Sequence, residues 1–304
     1  MIRLLARKNI DDKKWNHCVH FGFNGLPYAY SWYLDQIAAN WDGIVLADYQ
    51  AVFPLVWKKK YGIHYIYQPL FAQQLGIFSL EPLDNTLINE VLEKIPAKFR
   101  FIEMQTNAGN AIENECFLIR EKTNHELNLR ADYEQISGHF SGKIKRNLKR
   151  AQKFNLKIET KMKPEEFVAF FEKNVPGKIA EYTPWHHFAM LRLIYNSIQN
   201  HCGFIVSVVD EKNETCACGF FVSNRTRVIN LVPSANQTGK EQGAMSFLIN
   251  FVIRENCSKQ IVLDFEGSMI PGIAAFYKGF GAIEKKYFSL KKNKLPWPLK
   301  LFKK

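Results

Sequence analysis

The chain has 304 residues, of which 47% are hydrophobic and 23% charged, with 17 glycines and 12 prolines. That length supports two domains of about 150 residues each, and the composition excludes a disordered or collagen-like chain. Lys and Arg outnumber Asp and Glu by 41 to 29, a net charge of +12, while no apolar run reaches the roughly 20 residues of a membrane span.

The N-terminus, Met1-Ile-Arg-Leu-Leu-Ala-Arg-Lys, lacks the apolar core of a signal peptide, which predicts a cytoplasmic protein. Cysteines 18, 116, 202, 216, 218 and 257 are scattered with no Cys-x-x-Cys pair. They read as reduced, mostly buried thiols. His17-Cys18-x-His20 has no second cluster at ligand spacing, so no metal site is expected.

In chain order, residues 29–40 read as a helix, with Tyr30, Leu34 and Ala38 at i,i+4 spacing. Apolar runs at 43–49, 51–57 and 64–68, separated by turn-like stretches at 48–50 and 58–62, predict a three-stranded meander. A polar loop with Gln73 and Gln74 follows, then a helix at 87–95 and a strand at 101–104. Residues 141–157 carry seven Lys and Arg and no acid. Ser141 suits a helix N-cap there, and Ile144, Leu148, Ala151 and Phe154 make one apolar stripe. Lys143, Lys145, Arg146, Lys149, Arg150 and Lys153 crowd the rest of that helix. Like charges at i,i+4 cost stability that a bound anion relieves.

Two helices are expected next, at 164–173 and 185–200, the second with Phe188, Leu191, Ile194 and Ile198 as its apolar stripe. His186 lies in the polar-aromatic stretch that opens it, Tyr182-Thr-Pro-Trp-His-His187. Strands at 203–209, 218–222 and 228–232, a helix at 244–253 and a strand at 261–265 repeat the earlier order. Gly43 and Gly203, and Phe101 and Ile261, are both 160 residues apart. The spacing predicts two copies of one α/β (α+β) unit, a domain over 1–135 and another over 136–304 with a basic entry helix at 141–155. The second copy ends in Asp264 and Glu266 at a glycine turn, a short helix at 273–278 bearing Tyr277, and a strand at 286–291. Residues 285–304 carry eight lysines and no acid, interleaved with Trp297, Leu299, Leu301 and Phe302.

Ala275-Phe-Tyr277-Lys-Gly-Phe280-Gly281-Ala282 resembles the Ala-x-Tyr-x-x-(apolar)-Gly-(apolar) signature near the end of the GNAT (Gcn5-related N-acyltransferase) fold. Ser141-Gly-Lys-Ile-Lys-Arg-Asn-Leu-Lys-Arg-Ala151 resembles the basic helical segment of FemAB-like transferases. That family is built from two GNAT-like halves, and some of its enzymes pass amino acids from aminoacyl-tRNA to a peptidoglycan precursor. The resemblance covers most of the chain in layout, with motif-like matches only at 141–151 and 264–282. It implies two tandem GNAT-like domains, each a mixed, mostly antiparallel sheet flanked by helices. It also implies an acyl- or aminoacyltransferase whose amine acceptor, a small molecule or a cell-wall precursor, binds in a cleft.

On that reading Tyr277 is the acid for the leaving group, and Glu266 or Asp264 is the base; a carboxylate there also suits a helix cap or an ion pair. A CoA-binding GNAT carries (Gln/Arg)-x-x-Gly-x-(Gly/Ala) before its central helix, where backbone N–H groups hold the pyrophosphate. Here Val232-Pro-Ser-Ala-Asn-Gln-Thr-Gly239-Lys240-Glu-Gln-Gly243-Ala244 matches that spacing imperfectly. Val232, Gly239, Lys240, Gly243 and Ala244 are the candidate contacts for acyl-CoA (acetyl-CoA), with aminoacyl-tRNA as the alternative donor. The first copy has no glycine pair at this place and is expected to bind no CoA, its Gln73 and Gln74 suiting substrate contacts instead. Lys143, Arg146, Lys149, Arg150 and His186 are the candidate anion or substrate contacts. The basic patches also fit a non-catalytic RNA-binding protein, or one whose C-terminal tail rests on the anionic inner face of a membrane.

Overall fold

The computed structural model describes residues 1–175, 182–267, 269–297 and 299–302. The chain forms two compact units, residues 1–122 with 286–304, and residues 123–285.

In the first unit β1 (Ile2–Ala6), α1 (Asp12–Phe21) and α2 (Ser31–Ile37) precede a meander of β2 (Trp41–Leu46), β3 (Ala51–Lys60) and β4 (Ile63–Ile66). β5 (Phe78–Ser79), α3 (Asn85–Glu93), β6 (Phe99–Gln105) and β7 (Leu118–Asn128) follow. β2, β3 and β4 pair antiparallel in sequence, and β6 returns through α3 to lie parallel to β4. Asp84 caps α3 by accepting from the Leu87 N–H at 2.8 Å. The helix buries Ile88, Val91 and Leu92 against Phe53, Leu55 and Ile102 of the sheet. The predicted helix at 29–40 is shorter, because a 3₁₀ turn at Pro27–Ala29 takes its start and Ala38 is already extended.

The second unit contains α4 (Tyr133–Gly138), α5 (Gly142–Lys153), β8 (Lys157–Glu159), α6 (Pro164–Asn174) and α7 (Pro184–Gln199). Next come β9 (Gly203–Val209), β10 (Thr215–Ser223), β11 (Arg227–Ala235), α8 (Gln237–Gln242), α9 (Ala244–Asn256), β12 (Val262–Asp264) and α10 (Pro271–Lys278). β9, β10 and β11 pair antiparallel, and β12 returns parallel to β11. This is the pairing of the first unit over again, so the repeat in the sequence is a repeat in topology. Each unit is a mixed, mostly antiparallel sheet flanked by helices.

Alternation along β10 separates two layers of core. Phe221 packs with Leu248, Ile249 and Val252 of α9 and with Phe280. Its neighbour Phe220 meets Phe167 of α6, with ring centroids 6.2 Å apart. Each fully buried side chain of this kind contributes about 1.5–3 kcal/mol.

Two expectations meet a different arrangement. The units change within strands, not near residues 130–140. Residues 289–293 of β13 (Ile283–Asn293) pair with β6 in the first unit, and residues 126–128 of β7 pair with β12 in the second. On α7 the buried residues are His186, Ala189, Met190, Leu193, Ile194 and Ser197, while Phe188 and Ile198 are exposed. The apolar stripe is therefore turned from the one expected, keeping only Ile194. All six cysteines are free, and Cys18, Cys216 and Cys218 are buried.

Candidate active site at the fork of two strands

β11 and β12 run side by side over only three residue pairs, ending with Ile229 beside Asp264. β11 continues to Ala235, but the chain leaves β12 through Phe265, Glu266 and Gly267. On the other edge of β11 the register breaks. Phe220 faces Val232 while Phe221 faces Asn230, so Leu231 is the extra residue of a bulge. The two strands part at this point. Asn230 sits there, 1% exposed, and neither atom of its amide has a hydrogen-bond partner.

Glu266 makes the turn out of β12 with φ of 52°, followed by Gly267 at 45°. A non-glycine residue in this region is uncommon and is held there by its surroundings. Part of the Glu266 residue surface is open, but its carboxyl is enclosed by protein atoms, and this burial raises its pKa well above the ordinary carboxylate value. Ser268 lies outside the described residues.

Pro271 occupies the first turn of α10, where its missing N–H costs nothing. Six residues on, Tyr277 is buried and stacks on Phe265, with centroids 4.4 Å apart and planes at 20°. Burial is the main cause of its raised pKa, and the nearby Glu266 charge adds to it. Asn230 acts the other way, its amide lying near the phenol without reaching hydrogen-bond geometry. Tyr277 therefore stays protonated at neutral pH.

Asp264 has a different place from its neighbour. It is fully buried and accepts hydrogen bonds from Arg227 Nη1 at 2.5 Å, Asn124 Nδ2 at 2.8 Å and the Glu266 N–H at 3.0 Å. Arg227 also pairs with Glu126 at 3.0 Å. Both of its oxygens are engaged in these bonds, and the one to the Glu266 backbone pins the turn. Asp264 positions Glu266.

The glycine stretch is not a loop. α8 fills it, capped by the Asn236 side chain, which takes the Gly239 N–H at 2.7 Å. A Cβ on Gly239 would stand 2.2 Å from the Cys216 carbonyl oxygen. Gly243 has φ of +80°, donates its N–H to Gly239, and lies so close to α5 that a Cβ would meet the Asn147 carbonyl oxygen at 2.6 Å. Both glycines serve close backbone packing, and both N–H groups are already bonded. Val232 and Ala244 are buried in β11 and α9, and only Lys240 of the five expected CoA contacts is exposed.

α5 forms as expected, with Ser141 accepting from the Ile144 N–H and Ile144 and Ala151 buried. Phe154, at the end of the expected stripe, is 42% exposed. Asn147 and Arg150 tie the helix to its neighbours, through Ser246 Oγ and the Glu241 carbonyl, both at 3.0 Å. Lys143, Arg146 and Lys149 are exposed, and none has an ion pair among the described residues.

His186 is a cap, its Nδ1 3.1 Å from the Thr183 N–H and 2.9 Å from Thr183 Oγ1. Its neighbour His187 meets Glu172 at 2.8 Å and helps line an open cavity with Tyr182 and Phe188. Gln73 and Gln74 lie in the first unit, bonded to each other at 2.8 Å, with Gln74 accepting from the Ala108 N–H at 3.2 Å. In the tail Trp297 and Leu299 are exposed, while the side chains of Leu301 and Phe302 lie outside the described residues. Among the described residues no group of His, Cys, Asp and Glu is placed to hold a metal, and no helix is long and apolar enough to cross a membrane. The functional candidates missed in the sequence are Asn230 and Arg227. Asn230 had a signal, one polar residue in the middle of the apolar strand Val228-Ile-Asn-Leu-Val232.

No protein-family model matches the chain, and no curated protein matches it in sequence. Its fold is similar to that of FemX, with a TM-score of 0.65 and 10% identity over 94% of this chain and 96% of that one. It is similar to L-PGS from Bacillus licheniformis, with 0.57 and 9% over 96% and 95%. A tandem GNAT protein from the clavulanic acid biosynthesis pathway gives 0.52 and 9% over 97% and 99%. The chain thus has a GNAT-like, FemAB-like fold, two tandem copies of one α/β unit.

Proposed function

We propose that the fork of β11 and β12 transfers an aminoacyl group from an aminoacyl-tRNA to an amine. The observation that carries this is the enclosed Glu266 carboxyl one residue from Phe265, the ring on which the buried Tyr277 stacks, a base of raised pKa whose charge acts on an acid that stays protonated. The amine nitrogen attacks the acyl carbonyl carbon and gives its proton to Glu266. The carbon–oxygen bond of the ester then breaks, and the leaving ribose oxygen takes the Tyr277 proton. Glu266 returns a proton to Tyr277, and the pair is restored.

Two features favour tRNA over acyl-CoA as donor. The glycine N–H groups that a pyrophosphate needs are spent on Asn236 and Gly239, so CoA does not fit these residues in the usual way. The exposed cations Lys143, Arg146 and Lys149 of α5 suit a long polyanion. FemX and L-PGS share the fold. The acceptor is an amine carried by a small molecule or a cell-wall precursor.

Binding and chemistry are tested apart. Deacylated tRNA is expected to raise the melting temperature at fixed salt, as any ligand selective for the folded state does. A shift with acetyl-CoA alone sinks the donor assignment. With aminoacyl-tRNA and hydroxylamine as surrogate amine, Tyr277→Phe and Glu266→Gln should each lower hydroxamate formation by about 10²–10⁴-fold. Unchanged turnover in both variants would remove the pair from the chemistry.

A further inference from the structure

Asn230 is expensive where it stands. A buried amide with neither atom at hydrogen-bond geometry is rare, because donor and acceptor lose water and here gain only the nearby Tyr277 phenol. Exchanging the amide oxygen and nitrogen does not repair this, since both positions are unpartnered. The neighbours on β11, Ile229 and Leu231, are apolar and buried, so an apolar residue would suit the strand better. The Leu231 bulge bends β11 at this residue, and β12 has ended one pair earlier. The Tyr277 phenol is near enough for the amide to influence its ionisation.

We propose that Asn230 is a catalytic residue of the transfer, its Nδ2 donating to the oxyanion that forms on the acyl oxygen and its Oδ1 accepting from the attacking amine. The inference rests on the transferase reading above and adds the group that reading lacks. Glu266 takes the amine proton and Tyr277 supplies the leaving-group proton, but neither neutralises charge on the carbonyl oxygen. A tetrahedral intermediate made from an amine and an ester has an N–H donor and an anionic acceptor on one carbon. One amide side chain answers both. No proton passes through Asn230, so the balance of the step is unchanged. The unpartnered state before substrate is then the cost of preorganisation, with the dipole fixed in a dry site before charge develops.

The test uses the full chain, total aminoacyl-tRNA as donor and hydroxylamine as surrogate amine. Asn230→Leu removes both polar atoms at similar volume, and Asn230→Asp removes the donor alone. If the proposal holds, Asn230→Leu melts at or above the wild-type temperature while kcat falls about 10²–10³-fold with KM little changed. Asn230→Asp loses kcat to a similar extent. A lower melting temperature for Asn230→Leu would mean that Asn230 holds the fold together, and the proposal fails. Wild-type kcat in both variants, with Glu266→Gln and Tyr277→Phe inactive, overturns the role of Asn230 and leaves the transferase reading standing. No hydroxamate from the wild-type chain overturns the transferase reading, and this role for Asn230 with it.

Discussion

Glu266 and Asp264 are two residues apart and of one chemical type, yet their surroundings divide the work. Asp264 has an arginine, an asparagine and a backbone N–H on it, whereas Glu266 has enclosure that favours its neutral form. The sequence offered both as bases, because spacing does not report which carboxylate meets the arginine at 227, 37 positions away. Folded Glu266 holds its proton to higher pH than the unfolded chain does. Between the two pKa values the native state binds more protons, so stability falls as pH rises through that window. The effect is absent below the unfolded value, near the ordinary 4.5, and complete above the folded one. Glu266→Gln removes it. The melting temperature of that variant minus that of the wild type should therefore grow with pH and then level off, by about 1.4 kcal/mol per unit of pKa shift. A difference constant with pH would mean that the carboxyl is solvated. On the proposed mechanism the rate has the opposite slope, since Glu266 would have to lose its proton to act as base. For Asp264 the expectation is larger and simpler. Arg227→Met leaves buried carboxylates without their cation and should cost about 3–5 kcal/mol in urea unfolding. A loss under 1 kcal/mol would show that Asn124 and the Glu266 N–H suffice.

Elements were legible where they carry a local period. The two meanders, the helices before them and the cap of α5 follow from alternation, spacing and one serine, and their topology repeats as their sequence spacing does. α7 was misphased because Phe188 and Ile198 look like core residues, while the face that packs includes His186 and Ser197. The exchange of β7 and β13 had no local signature, because hydrogen bonds between Ser289–Asn293 and β6 link residues far apart in the chain. α8 was hidden for another reason. Two glycines suggested an open loop, but here they permit contact between backbones. A matched pair of substitutions measures that contact. Gly62 and Gly243 have φ of +78° and +80°, but a Cβ at Gly62 meets nothing within 4 Å, and at Gly243 it strikes α5. Gly62→Ala should cost about 1–2 kcal/mol from the left-handed backbone alone. Gly243→Ala should cost at least about 1 kcal/mol more, as overpacking does. Equal costs in denaturant unfolding would mean that α5 yields without penalty.

At the scale of the whole molecule the charge is a map of partners more than a measure of solubility. Seven cations at 141–157 and eight at 285–304 together exceed the net excess of 12, so the rest of the chain is slightly acidic. The C-terminal group is partly neutralised, for example by Lys291 with Glu103 at 3.3 Å and Lys286 with Glu121 at 3.0 Å. Lys143, Arg146 and Lys149 have no such partners among the described residues. Composition gave the number of charges, and pairing shows which of them remain available. Each cation that neutralises a phosphate releases counterions, so the affinity for tRNA should fall linearly with the logarithm of salt, with a slope of about 0.7–0.9 per contact. Replacing Lys143, Arg146 and Lys149 together by Ala should weaken tRNA binding and lower that slope by about 2–3, read by fluorescence anisotropy over a salt series. Arg150 is left in place because its guanidinium also holds the Glu241 carbonyl, and changing it would mix binding with folding. An unchanged slope places the tRNA elsewhere. A reduced slope with the melting temperature preserved identifies α5 as the face that holds the donor, so that the cations the fold leaves unpaired are those the substrate pairs.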